Sequence, residues 1–138
     1  MSTEQHRFNW SDAWLLLAVT LASQRAPANI ETIIKVGDEI NFAIFKADEL
    51  ESGLVRLAEA GYIVESAGSF SITEKVKSQA ATLLAEERST HERLKDAQEF
   101  LRAAAAADDQ PCRNNLKYPG FTKKQYEDAV ERYQGYLR

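Results

Sequence analysis

Leu54-Val55-Arg56-Leu57-Ala58-Glu59-Ala60-Gly61-Tyr62-Ile63 closes one kind of structure and opens another. Ala47, Leu50, Leu54, Leu57 and Ala58 recur at three- and four-residue intervals, which predicts a helix over 47–60 with these side chains turned inward. Gly61 ends it, because glycine takes the left-handed conformation of a helix terminus without a steric penalty. Two short strands are expected next, Tyr62–Glu65 and Ser69–Ile72, with Ser66, Ala67 and Gly68 as the tip between them. Thr73 is then placed to cap a further helix.

Upstream, Ser11 and Asp12 suit a helix start, and Trp14, Leu15, Leu17, Ala18, Leu21 and Ala22 line one side of a first helix over 11–24. Leu16 and Val19 widen that stripe, so this helix belongs at the centre of the core. Its apolar run, Ala13–Ala22, is too short to span a bilayer. The residues before it, with Glu4, Arg7 and Asp12, lack the positive start of a secretory signal. Pro27 breaks the pattern. Asn29 then caps a second helix over 29–40 with Ile30, Ile33, Ile34 and Gly37 on one face. Asn41–Phe45 reads as a turn or a very short strand, its Phe42, Ile44 and Phe45 too apolar to lie free on the surface. Phe8, Trp10, Trp14, Phe42, Phe45 and Phe70 are all assigned to the core.

Downstream, Val76, Ala80, Leu83, Leu94, Ala97, Leu101 and Ala104 mark one seam, interrupted at Glu87 and Thr90, and predict a single long helix over 74–104. Asp108 and Asp109 fit a helix C-terminus badly, and Pro111, Pro119 and Gly120 follow, so 105–121 reads as a linker. Thr122 and Gln125 then form a T-x-x-Q capping box, with Phe121 and Tyr126 positioned as a hydrophobic staple. They open an amphipathic helix over 122–138 whose stripe is Tyr126, Val130, Tyr133 and Leu137. The expected architecture is mainly α with a small β-hairpin: a domain over 1–85, a continuation of the long helix over 86–104, the linker and the C-terminal helix.

The order of three helices, a hairpin and a long helix resembles the winged-helix domains of bacterial regulators such as the MarR and PadR families. Leu54–Ile63 is similar to their L-x-x-L-x-x-x-G-[YL]-[IV] run, and Phe70-Ser-Ile-Thr-Glu-Lys75 to the strand that closes their wing. Gly37–Phe45 resembles the corresponding segment of a group of uncharacterised bacterial winged-helix proteins. The resemblance covers about residues 10–85, and the C-terminal part resembles nothing known to us. It implies a winged helix-turn-helix domain and DNA binding, with the third helix in the major groove and the wing on the backbone.

The charges depart from that pattern. The outward side of the third helix is expected to hold Asp48, Glu49, Ser52, Arg56 and Glu59, one cation against three anions, and the tip Glu65–Ser69 carries no lysine or arginine. Phosphate contacts need several cations. Those available for nucleic acid are Lys35, Lys46, Arg56, Lys75 and Lys77, with Ser52 as a neutral contact, and they are scattered. The chain carries 17 basic and 21 acidic side chains, net −4, which disfavours generic binding to phosphate backbones. Residues 1–110 hold 11 Lys/Arg against 18 Asp/Glu, net −7, while residues 111–138 hold 6 against 3, net +3. The tail's Arg113, Lys117, Lys123, Lys124 and Arg132, mixed with tyrosines, are a combination that can bind single-stranded nucleic acid, but more often reads as a helix that docks on its own acidic domain or on a partner subunit.

No phosphate loop, nucleophile elbow or metal constellation stands in the chain, so neither a cofactor nor a catalytic role is expected. Glu87 and His91 are spaced i, i+4, but a metal site wants more ligands than two. Cys112 is the single cysteine, which excludes an internal disulfide and suits a reducing cytoplasm. The functional expectation is a protein-interaction and dimerisation module, with a DNA-binding transcriptional regulator as the alternative. A homodimer is expected through Leu94, Ala97, Leu101, Tyr126, Val130, Tyr133 and Leu137, because a helix of some thirty residues would outrun a small domain and need another surface.

Overall fold

The computed structural model describes residues 8–85, 87–105, 117 and 121–136. The described residues form six helices and one three-stranded sheet: α1 (Trp10–Ala22), β1 (Ala28–Asn29), α2 (Ile30–Asn41), α3 (Ala47–Glu59), β2 (Ile63–Ser66), β3 (Ser69–Ile72), α4 (Glu74–Leu83), α5 (Thr90–Ala105) and α6 (Lys123–Tyr136). The fold is thus mainly α with a small antiparallel hairpin.

α1 is the axis of the molecule. Every residue from Ser11 to Thr20 is buried, and α2, α3 and α5 all pack around it. It begins at Trp10 with Asn9 as its N-cap, so the expected starters Ser11 and Asp12 lie inside the first turn. Asp12 still serves that end, accepting a hydrogen bond from the Asn9 N–H at 2.9 Å. α2 starts as expected, with the Asn29 side chain accepting from the Thr32 N–H. Trp14 joins α1 to α2 and to the corner that follows. Its indole N–H donates to the Gly37 carbonyl at 2.9 Å, and its ring stacks on Phe45 with centroids 3.8 Å apart. Gly37 must be glycine, because a Cβ there would drive into the Phe45 ring.

The hairpin pairs β2 with β3 in the register Ile63↔Ile72 to Ser66↔Ser69. β1, which the periodicity does not announce, adds to β3 through Ala28↔Phe70 and Asn29↔Ser69. The sheet order is therefore β1-β3-β2. Ala67 and Gly68 both take positive φ at the tip, as a two-residue hairpin turn of type I′ demands. Thr73 precedes α4 in the capping position, but its hydroxyl donates to the Gly61 carbonyl, tying the exit of the hairpin to the end of α3.

The single helix expected over 74–104 is two helices. α4 stops at Leu83, α5 begins at Thr90, and α5 turns back to pack on α4 and α1. The break is built from a capping box: the Ser89 hydroxyl accepts from the Glu92 N–H at 3.1 Å, and the Glu92 carboxylate accepts from the Ser89 N–H at 2.8 Å. Arg93 donates to the Ala85 carbonyl and Arg88 forks onto Asp96, closing the turn from both sides. The Ser89 cap also holds the Glu92 carboxyl below its usual range, as the N-terminus of a helix favours the anion. Leu94, Ala97 and Leu101 are consequently buried inside one chain, and Phe100 meets Tyr62 edge-on with ring centroids 5.2 Å apart. The apolar seam that motivated a homodimer is covered without a second copy.

α6 starts with the expected capping box, Thr122 N–H to Gln125 and Gln125 N–H to Thr122, and lies on α2. Phe121, Ala129 and Tyr133 are buried there. His6, Cys112, Arg113 and Leu137 lie outside the described residues.

Candidate interaction surface

The rotational phase of α3 decides what it shows to a partner. Leu50, Leu54 and Leu57 are fully buried, as their spacing predicts. Arg56 and Ser52 are not on the outward side: Arg56 is 4% exposed and Ser52 has no exposed surface. Arg56 reaches across to α1, where its Nε donates to one carboxylate oxygen of Asp12 at 2.8 Å and its Nη2 to the other at 3.0 Å. Asp12 is wholly buried, so both charges leave water together and satisfy each other in a forked geometry. Gly53 makes the approach possible. A Cβ at that position would come 2.8 Å from a Leu15 methyl and 3.0 Å from Asp12 Oδ1. Ser52 donates to Asp48 at 2.9 Å on the same flank.

With Arg56 inside, the outward side of α3 consists of Asp48 and Glu59, which are exposed, and Glu51 and Val55, which are half-exposed, while Ala58 packs at the edge of the core as its spacing predicts. Arg56 is the only lysine or arginine in the helix. Glu49 lies on another side and caps the Lys46 N–H with Oε1 at 2.9 Å. The exposed face is therefore acidic around a short apolar centre, more so than the five residues expected there imply.

The remaining candidates for nucleic-acid contact do not converge. Lys35 is exposed on α2 and Lys46 at the start of α3. Lys75 lies over the end of α3, its ammonium 3.4 Å from the Ala60 carbonyl, and Lys77 pairs with Glu74 at 3.7 Å. The hairpin tip, Ser66 to Gly68, is exposed and uncharged. The adjacent Glu65 carboxylate accepts from the Gly68 N–H at 2.6 Å.

Two aromatics assigned to the core by composition lie outside it. Trp10 is 44% exposed, at the rim of a small pocket of about 100 Å³ between the start of α1 and α5. Phe42 is 90% exposed, and its backbone has φ of 55°, the left-handed region that a phenylalanine rarely adopts. It occupies the C-cap of α2, a position that favours glycine. The corner beneath is firmly held. Phe45 is fully buried under Trp14, its carbonyl accepts a hydrogen bond from the Tyr126 hydroxyl at 2.5 Å, and the Phe42 N–H donates to the Asp38 carbonyl at 2.7 Å. Phe42 is thus presented to solvent by a fixed frame.

α6 supplies the other side of this region. Tyr133 donates to Asp38 Oδ2 at 2.6 Å, and Arg132 pairs with Glu31 at 2.7 Å. The hydrogen bond to Asp38, assisted by burial and by the charges of Asp38 and Glu39, pushes the Tyr133 hydroxyl up to about 12. Burial, then the charge of Glu49, raises Tyr126 as well. Val130 is half-buried on the same stripe. A cleft of about 300 Å³ beside this contact is lined by the start of α2, by α6 and by Gly68 at the hairpin tip.

Glu87 and His91 are both exposed, and among the described residues no three acidic, histidine or cysteine side chains are grouped as metal ligands would be. No helix among them is long and apolar enough to cross a membrane. The Asp12–Arg56 pair escaped the sequence reading, although a signal for it exists: an aspartate in the first turn of a helix buried on all sides must find a cation. No known protein family, curated protein or solved structure matches the chain.

Proposed function

We propose that the chain is a winged-helix protein-interaction module, with the α2–α3 corner and the outward side of α3 as its contact surface. The order α1-β1-α2-α3-β2-β3 and the sheet order β1-β3-β2 support the winged-helix reading, together with the resemblance in 54–63 and 70–75. The observation that carries the functional part is the placement of Arg56. A winged helix that reads DNA offers its third helix to the major groove and cations to the phosphates. Here the only cation of α3 is enclosed with Asp12, and Asp48, Glu51 and Glu59 stand on the outward side.

Phe42 supports protein contact in particular. An exposed aromatic held in an unfavourable backbone conformation gains nothing from the fold, and buried aromatic anchors dominate the energetics of protein interfaces. Lys35 on α2 and Lys46 before α3, both exposed, are what favours the second reading, a DNA-binding regulator. A photoreactive amino acid placed at Phe42, with one at Lys124 as a control, separates the two. The expected result on irradiation in cells is a protein adduct at Phe42 and none at Lys124. Nucleic-acid adducts at Phe42, or equal protein adducts at both positions, would overturn the proposal.

A further inference from the structure

The C-terminal helix is attached to the rest of the molecule mainly through α2. Three directional contacts tie it to the α2–α3 region: Tyr126 to the Phe45 carbonyl, Tyr133 to Asp38 and Arg132 to Glu31. The helix carries its own start signal, since the Thr122–Gln125 capping box is internal to the segment and moves with it. Seventeen residues, 106–122, join α5 to α6, and that length of chain can span up to about 55 Å at roughly 3.3 Å per residue. A helix with a locally defined start and a one-helix seat is a unit that two copies can exchange, and a connection of that reach allows the helix to sit on its own chain or on another.

We propose that the seat on α2 accepts the α6 of a second copy, so that Tyr126 and Tyr133 of one chain complete the α2–α3 corner of another. The occupant is fixed by chemistry on both sides. The seat presents the carboxylates of Glu31 and Asp38 and one carbonyl, at Phe45, and α6 presents a guanidinium and two phenol hydroxyls on an apolar stripe. The proposal rests on the α2–α6 geometry and is independent of the winged-helix reading. In a single chain the seat competes with an intramolecular helix at an effective concentration in the millimolar range, so exchange shows when the intramolecular arrangement is disabled.

Two full-length variants test this. A receiver, Tyr126→Ala with Tyr133→Ala, keeps the seat and loses the helix face. A donor, Glu31→Lys with Asp38→Lys, keeps α6 and loses the seat. Each alone is expected to scatter light as a 15.5 kDa chain. An equimolar mixture at about 50 μM is expected to reach twice that mass. A mixture that stays at 15.5 kDa, with both variants folded, would overturn the proposal. Amide hydrogen exchange on the unaltered protein covers the case in which a variant does not fold. The α6 amides should open by a local route about a hundredfold or more faster than those of α1. Equal protection of α6 and α1 would also overturn it.

Discussion

Asp12 and Arg56 show how a single residue can change the function that a sequence suggests. The arginine reads as a groove contact until its partner is seen, and then it reads as part of the core. Removing one member of such a pair strands the other in a dry environment. Arg56→Met should therefore cost about 3–5 kcal/mol in urea denaturation, and replacing Asp12 by an apolar residue as well should recover most of the loss. A small effect of Arg56→Met would mean that the pair is solvated. Phe42 predicts the opposite sign. Phe42→Gly relieves a left-handed phenylalanine and should stabilise the isolated protein by about 1 kcal/mol. A loss of stability would show that the ring packs. Tyr133 predicts a pH dependence. Its hydroxyl is raised in the folded state to about 12, so the folded protein holds this proton more tightly than the unfolded chain. The stability it contributes is fully present below the ordinary tyrosine range near pH 10 and is lost as pH rises towards 12. Comparison of Tyr133→Phe with the unaltered protein isolates this contribution. The variant should lose less stability between pH 10 and 12, and parallel curves would exclude the bond to Asp38.

At the scale of elements, periodicity located α1, α2, α3, the hairpin and α6 to within a residue or two, because each has an apolar face that must be buried and a cap or glycine at an end. It failed at the α4–α5 break. Leu83 and Leu94 fit one helical seam, and the run of good helix formers between them hides the Ser89–Glu92 capping box that divides it. The misreading had a consequence: a continuous rod needs an external partner, whereas α5 folded back finds α1. Ser89→Ala should lower stability by about 1 kcal/mol through loss of that cap. The close crossing of α1 and α3 was illegible for a different reason. It depends on the absence of a side chain at Gly53, which has no apolar signature. Gly53→Ala should be destabilising despite its higher helix propensity, since the added methyl meets Leu15 and Asp12. Gly53→Ala as stable as the unaltered protein, in thermal unfolding, would show that the crossing has room.

At the scale of the whole molecule, charge is segregated by structure as well as by sequence. The acidic first 110 residues turn Glu31 and Asp38 towards α6, and the basic tail meets them with Arg132 and Tyr133. That match was legible as an expectation of docking, because two segments of opposite net charge with one apolar stripe each have an obvious way to combine. Which face of the domain would receive the tail was not legible, since it depends on the three-dimensional placement of α2. The acidity of the α3 face was only half legible, because composition counts Arg56 among the exposed cations and packing removes it. The central claim is that this face does not read duplex DNA. Fluorescence anisotropy of a labelled random duplex, titrated with the protein at low salt and again near physiological salt, tests it most directly. The account predicts no binding in the micromolar range at physiological salt. Sub-micromolar binding that weakens steeply as salt is added would contradict it.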